Sequence, residues 1–555
     1  MSTAWWKKAV VYQIYPKSFK DTNGNGTGDI KGIIEKLDYL KELGVDVLWL
    51  TPIYKSPQRD NGYDISDYYN IQEEYGTMED FDQLLAEAHQ RGIKIIMDIV
   101  INHTSTEHEW FKQARSSKDN PYRDFYIWKD GNNGIPPTNW ESKFGGSAWE
   151  YDEKTEQYYL HLFDVTQADL NWENPKVREA LYEMMHFWLK KGVDGFRLDV
   201  INLISKDQNF PQDDSDGRKF YTDGPRIHEF LHEMNQEVFS KYDIMTVGEM
   251  SSTSIDNCIR YTNPKDEELN MTFSFHHLKV DYPNGDKWTK ADFDFEALKN
   301  ILSKWQVEMN KGGGWNALFW CNHDQPRVVS RFGDDQKYHK ESGKMLATAL
   351  HFMQGTPYVY QGEEFGMTNP NFDRIEDYRD VESLNIYEIK KNEGMSEQEI
   401  IEILKQKSRD NSRTPVQWDS SPNAGFTSGT PWINTAKNYQ VINADHALKD
   451  QDSIFYHYKK LTELRKNLDL ITNGDFEHIS EGHDSVFAYT RSHQNETLLV
   501  VNNFYGKNST FSLPEKLNID GLTSTVLISN YQDSAALTGV ITLRPYESIV
   551  YHLKK

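Results

Sequence analysis

Four short apolar runs in this chain end in ionisable side chains: Asp98-Ile-Val-Ile-Asn102-His103, Phe196-Arg197-Leu-Asp199, Val247-Gly248-Glu249 and Cys321-Asn322-His323-Asp324. A single acidic residue after a strand means little, because loops are polar. Four such endings point to one pocket that they share. Taken singly, each has a plain structural use: Asp98 can bridge to Arg197, and His103 can be a hydrogen-bonded loop histidine. Taken together, carboxylates with an arginine and two histidines suit cleavage of a glycosidic bond through an oxocarbenium-like transition state. One carboxylate attacks the anomeric carbon, and a protonated one gives its proton to the leaving oxygen. Arg197 stands two residues before Asp199, on the same face of a strand, and is expected to keep Asp199 ionised as the nucleophile. Glu249 ends a greasy strand, which suits a raised pKa and acid/base work. Asp324 and the two histidines are left to grip the hydroxyls of a distorted sugar ring.

The elements that must hold these residues are legible as apolar runs at 9–15, 45–51, 94–100, 195–200, 244–248, 271–275, 316–320 and 358–361. Their consecutive β-branched and aromatic residues read as buried parallel strands. Between them lie amphipathic stretches at 32–43, 78–91, 176–191, 225–239 and 295–310. Strand then helix, repeated eight times, predicts an α/β fold of the (β/α)8 TIM-barrel type. The third and fourth strands are too far apart for a simple connection, so residues 104–172 are expected to form a small inserted domain between barrel parts 1–103 and 173–472. A subdomain is expected at about 367–443, with the strong helical run 396–407. Residues 473–555 alternate apolar and polar positions and predict a C-terminal antiparallel β-sandwich.

Composition narrows the partner. A formal charge of −24 and the lack of a basic stripe argue against nucleic acid. Aromatic residues make up 13% of the chain, which favours clefts that stack on sugar rings. Neither a signal-like start nor a long apolar segment is visible, so no membrane partner is expected. The only cysteines, Cys258 and Cys321, are far apart and outside metal-ligand spacing, which fits a reducing cytoplasm. A monomer or weak oligomer without an organic cofactor is expected.

The segments DIVINH at 98–103, GFRLDVI at 195–201, GEM at 248–250 and NHDQPR at 322–327 resemble the four principal regions of the α-amylase-type glycoside hydrolases, family thirteen, in order and spacing. QADLN at 167–171 resembles a fifth region found in the oligo-1,6-glucosidase branch. The likeness runs from WWKKAVVYQIYPKSF at the start through SRDNSRTPVQWD at 408–419 and spans essentially the whole chain. It implies Asp199 as nucleophile, Glu249 as acid/base and Asp324 as transition-state stabiliser. It also implies that Asp60, Tyr63, His103, Arg197, His323 and Arg409, the last in preference to Arg413, line the pocket for the non-reducing glucose. Within the branch, FSFHHLKVDYPNGDKW at 273–288 and FWCNHDQPR at 319–327 resemble the members that hydrolyse a disaccharide phosphate, trehalose 6-phosphate. The alternative is an oligo-1,6-glucosidase acting on isomaltose-type α-1,6 oligosaccharides. Val200, after the nucleophile, resembles the group that avoids α-1,4 bonds.

A dianionic substrate approaching so acidic a protein needs local cations. Lys279 and Lys287, after the sixth strand and accompanied by His276 and His277, are expected to bind the phosphate, with Arg327 or Arg331 as reserves. A second ligand site is expected at the loop from Asp21 to Asp29. There Asp21, Asn23, Asn25, Thr27 and Asp29 place oxygen donors at alternate positions, with Gly26 sixth as in an EF-hand and Gly32 where the bidentate Glu would stand. The family likeness also implies a divalent ion here, so a structural Ca²⁺ or Mg²⁺ is expected.

Overall fold

In the computed structural model, which describes residues 4–517 and 519–555, the eight apolar runs form parallel strands. They are β1 (Val11–Ile14), β2 (Val47–Leu50), β3 (Lys94–Ile99), β4 (Gly195–Leu198), β5 (Met245–Glu249), β6 (Met271–Phe273), β7 (Ala317–Leu318) and β8 (Thr356–Tyr360). They pair in the order β6-β5-β4-β3-β2-β1-β8-β7. A parallel bridge between Thr272 and Asn316 then joins β6 to β7 and closes the barrel. Nearly every strand residue is buried, as side-chain layers inside and helices outside require. The run at 316–320 yields only two ladder residues, and just beyond them the Phe319 carbonyl accepts from His277 Nε2.

The surrounding helices begin and end where local chemistry dictates. Helix Met78–Gln90 opens on a capping box between Thr77 and Asp80. Helix Pro175–Lys191 is capped by Asn174, starts with proline and stops at Gly192 in the left-handed region. The stretch at 32–43 is two helices, Ile30–Glu35 and Leu37–Leu43, broken at Lys36. Helix His339–His351 is buried at every position from 342 to 351. It is wedged between the barrel and the C-terminal sheet, from which the Tyr489 hydroxyl donates to the Ala349 carbonyl at 2.8 Å.

The segment after β3 is pinned at both ends by an antiparallel pair, His103–Ser105 with Gln167–Asp169. Within it, Trp128–Lys129, Gln157–Leu160 and Trp149–Asp152 form a small antiparallel sheet. After β8, helices Val381–Asn392 and Glu397–Lys407 gather a core of their own around Tyr378, Tyr387, Ile400, Leu404 and Ile433. The C-terminal region sets a five-stranded antiparallel sheet against the pair Ser509–Ser512 and Val540–Leu543. In that sheet Val486, Ala488, Leu499 and Val501 face the second layer, whereas Phe487, Tyr489, Leu498 and Val500 join the barrel's core. Both faces of its central strands are therefore apolar, and the expected alternation of buried and exposed positions is found in the outer strands Asp475–His478, Ser509–Ser512 and Val540–Leu543.

Candidate active site

Strand register supplies the centre of the site. Arg197 on β4 lies beside Asp98 on β3, and both point into the barrel. The guanidinium, 1% exposed, donates through Nη1 to Asp98 Oδ1 (2.9 Å) and Asp199 Oδ1 (2.5 Å), and through Nη2 pairs with Glu249 Oε2 (2.7 Å). Asp98 also accepts from Tyr63 Oη (2.9 Å) and Trp49 Nε1 (3.1 Å). It is thereby occupied in holding Arg197, and it stands behind the pocket wall, in the structural role open to it from sequence. A buried charge on Arg197 is tolerable only because three carboxylates surround it.

Arg197 consequently does not single out Asp199, which corrects the expectation drawn from their spacing. It fixes one oxygen of Asp199 and one of Glu249, and the two side chains lie within hydrogen-bonding reach of each other. Burial first, and then repulsion from Glu249 and Asp98, drives Asp199 well above the usual carboxylate range against the pull of Arg197. The two carboxyl groups are therefore close enough for the charge of one to act on the other. Glu249 Oε2 also accepts the Val200 backbone N–H at 3.1 Å. Val200 sits at φ 38°, ψ 39°, a left-handed conformation that costs a β-branched residue about 1–3 kcal/mol. This turn aims its N–H at Glu249, leaving the other carboxylate oxygen to face the pocket.

His323 and Asp324 arrive from the loop after β7. The His323 ring is stacked between Tyr63 (5.2 Å, 3°) and Tyr15 (6.0 Å, 15°). Gln13 Nε2 lies 2.8 Å from Nδ1 and, as donor, leaves the proton on Nε2, which faces Asp324 Oδ2 at 3.3 Å. Burial pushes His323 down to about 3, so it is neutral at pH 7. Burial would raise Asp324, but His323, Arg409, Arg413 and Arg197 hold it well below the carboxylate range; with His323 uncharged, the arginines do this at pH 7. Arg413 is the nearer of the two neighbouring arginines, at 2.7 Å from Asp324 Oδ1 against 3.4 Å for Arg409. Arg413 also donates to the His323 carbonyl at 2.8 Å. Arg409 reaches the pocket surface and touches Asp60 (3.3 Å) and Asp380 (2.6 Å). Both arginines thus serve the site, Arg409 as lining and Arg413 as the clamp behind Asp324.

The pocket is lined by Asp60, Tyr63, His103, Asp199, Glu249, Asp324 and Arg409. Asp60 accepts from Gln167 Nε2 at 3.1 Å and is pushed by burial up to about 7. His103 is held by the Tyr63 carbonyl and Asn102. Phe144 and Phe163 from the segment after β3 and Glu382 from helix Val381–Asn392 complete the wall. The sequence offered no motif for Glu382, Asp380 or Phe144; Gln13 stood inside WWKKAVVYQIYPKSF and Gln167 inside QADLN, each without a role.

Of the expected phosphate ligands, Lys279 and Lys287 both line the pocket. Lys287 is already paired with Glu382 at 2.7 Å, whereas Lys279 has no acidic partner among the described residues. His276 and His277 are withdrawn, donating to the carbonyls of Thr253 (2.9 Å) and Phe319 (2.8 Å). Arg327 is engaged by the Gln361 and Ser412 carbonyls and Arg331 by Asp281, so neither reserve is available.

The loop from Asp21 to Asp29 lies away from this pocket. Asp21 accepts from the N–H groups of Asn23, Gly24 and Gly26 and from the Thr427 hydroxyl. Asn23 accepts from Asn25 N–H, Asn25 from Thr27 N–H, and Asp29 from Thr22 and Gly32. The twelfth position is glycine because a Cβ on Gly32 would lie 2.0 Å from the Lys20 carbonyl oxygen. Two carboxylates and two amide oxygens on alternate residues make a donor set suited to a hard divalent ion.

Residues 13–474 match the model described as "Alpha amylase, catalytic domain", and residues 486–550 match "Alpha-amylase SusG C-terminal domain". The chain is 68% identical to trehalose-6-phosphate hydrolase of Bacillus subtilis, covering 100% of this chain and 99% of that one. It is 57% identical to an oligo-1,6-glucosidase of Parageobacillus thermoglucosidasius over the full length of both. The crystal structure of Bacillus licheniformis trehalose-6-phosphate hydrolase superimposes with a TM-score of 0.97 at 71% identity, with both chains fully covered.

Proposed function

The chain belongs to the alpha-amylase family, and on that premise we propose that it hydrolyses trehalose 6-phosphate to glucose and glucose 6-phosphate with retention at the anomeric carbon. The observation that carries the mechanism is the Asp199–Glu249 contact on a shared Arg197. Inverting enzymes keep their carboxyl groups about 6.5–9.5 Å apart to admit a water between them; here no such gap exists. Asp199 attacks the anomeric carbon as Glu249 protonates the bridging oxygen, releasing glucose 6-phosphate and leaving a glucosyl ester on Asp199. Glu249, now ionised, takes a proton from water, which breaks the ester and frees α-glucose. Asp324, kept anionic by its arginines, stabilises the positive charge that develops on the ring. Asp60, His103, His323 and Arg409 grip the hydroxyls of the same glucose.

The substrate is supported by the identity to the Bacillus enzymes and is tested by comparing rates on trehalose 6-phosphate, trehalose and isomaltose. A kcat/KM for trehalose 6-phosphate above the other two by at least about tenfold is expected. Preference for isomaltose would select the oligo-1,6-glucosidase reading. Among the described residues no helix is long and apolar enough to cross a membrane. Both cysteines are free, buried thiols, which supports a reducing compartment as the place of action.

The loop from Asp21 to Asp29 is proposed to hold Ca²⁺ or Mg²⁺ in a structural capacity through Asp21, Asn23, Asn25, Thr27 and Asp29. Binding to the native state alone stabilises by mass action, by about 2.7 kcal/mol at a hundredfold excess over Kd. Chelation is therefore expected to lower Tm by several degrees while leaving turnover at 25 °C nearly unchanged, and Asp21→Ala should make Tm insensitive to the chelator. An unchanged Tm in both experiments would mean that the loop's own hydrogen bonds suffice.

A further inference from the structure

Two arginines lie buried where the end of the barrel opposite the catalytic residues meets the C-terminal sheet. Arg465 belongs to helix Ile454–Asn467 and Arg491 to strand Val486–His493, and both are wholly withdrawn from solvent. They converge on the turn that precedes β8. Arg465 Nη2 donates to the Gly355 carbonyl and to the Lys7 carbonyl at 2.7 Å, and Arg491 Nη1 donates to the Phe352 carbonyl. Arg491 Nε and Nη2 share the Gly474 carbonyl, at 3.1 and 2.6 Å. Carbonyls supply dipoles but no charge, and a guanidinium stays protonated at neutral pH. The carboxylates that act on the two arginines are engaged elsewhere, Asp46 with Lys466 at 2.8 Å and the exposed Asp475 with Asn310 at 3.1 Å. Arg197, by contrast, has three acids in direct contact. Burial, and then repulsion from Arg491, pushes Arg465 down to about 9. Arg465 Nε and Nη1 and the hydroxyl of Thr472 have no hydrogen-bond partner among the described residues. Thr472 is itself fully buried, and its carbonyl accepts from Gln354, on the same turn, at 3.2 Å.

We propose that Arg465, Arg491 and the Thr472 hydroxyl bind a small monovalent anion of the halide class, chloride in ordinary solution, at this seam. Water can satisfy the free N–H groups, but it leaves two like charges together in a medium of low dielectric, where an uncompensated charge is costly. A halide supplies the missing negative charge and accepts from several directions at once, so Nε–H, Nη1–H and the threonine hydroxyl can all turn to it. The bound ion would join a helix and a turn of the barrel to a strand of the C-terminal sheet, and its contribution is therefore to stability. Lys7 precedes β1 and Gly355 precedes β8, which puts the site at the far end of the barrel from Asp199 and Glu249, so turnover does not depend on it.

The test uses the full-length enzyme dialysed into sodium gluconate, whose anion is too large to be enclosed between two buried side chains. Chloride or bromide then replaces gluconate at constant ionic strength, which holds screening fixed. Either halide should raise Tm saturably, by roughly 2 °C at a hundredfold excess over Kd, and leave turnover of nitrophenyl glucoside at room temperature unchanged. Thr472→Val keeps both charges and removes one donor, so the halide concentration giving half the effect should rise about tenfold. Arg465→Met should abolish the halide response altogether; if that variant does not fold, the valine variant still decides. Crystals soaked in bromide should show an anomalous peak within hydrogen-bonding distance of Arg465 Nε or Nη1. Equal Tm in all three salts, or no bromide peak at Arg465, overturns the proposal and leaves the free donors to water. A halide effect that Thr472→Val leaves unchanged overturns it too, by placing the anion elsewhere. So does a halide effect on turnover without one on Tm, which would place the anion in the catalytic pocket.

Discussion

Asp199→Asn is expected to lower turnover on every α-glucoside by about four orders of magnitude or more, with no loss of Tm. The amide has the shape of the carboxylate but no electron pair able to open the glycosidic bond, so no glucosyl ester forms. Stability is a separate matter, because the wild-type carboxylate is buried against two others. Replacing one of the three carboxyl groups packed around Arg197 relieves the cost of burying it beside the others, while Asp98 and Glu249 still neutralise the guanidinium. A Tm equal to that of the wild type or higher is the expected signature of a group kept for chemistry at some expense of stability. Differential scanning calorimetry and NMR detection of the first-formed anomer check both halves. A variant that retains a tenth of wild-type turnover, or a wild type that first releases β-glucose, would defeat the nucleophile assignment.

The catalytic residues were readable because each stands at a strand end beside residues that share its face. Period-two geometry puts Arg197 and Asp199 together, and parallel register brings Asp98 alongside. What could not be read is how one side chain divides itself among several partners. Arg197 lies as close to Asp98 and Glu249 as a salt bridge allows, so its nearness in sequence to Asp199 carried no electrostatic preference. Arg409 and Arg413 are one helical turn apart, and nothing in the sequence ranks them; only the fold shows one facing the pocket and the other behind Asp324.

The same limit governs the cations. His276, His277, Lys279 and Lys287 looked alike as a basic cluster, but the backbone carbonyls of Thr253 and Phe319 claim both imidazoles and Glu382 claims one ammonium.

Glu249→Gln separates the two steps of the reaction. The glutamine cannot protonate a leaving group, so kcat on trehalose 6-phosphate, whose departing sugar hydroxyl is a poor leaving group, should fall by about three orders of magnitude. An aryl glucoside with a strongly acidic phenol needs no proton, and its glucosyl transfer to Asp199 should survive. The ester then accumulates, because the water that must break it has lost its base, and a burst of phenol precedes slow turnover. The pH profile changes in a way set by the shared proton. In the wild type, activity needs one proton on the Asp199–Glu249 pair, so it falls in acid, where a second proton quenches the nucleophile, and in alkali, where the only proton leaves. With glutamine in place the alkaline limb should vanish for the burst on the activated substrate, since no proton is required. The acid limb should stay about where it is, because in the active form of the wild type Glu249 carries the proton and faces Asp199 as a neutral group, as the glutamine does. An alkaline limb that persists in Glu249→Gln, measured by stopped-flow release of phenol, would assign the acid to another residue.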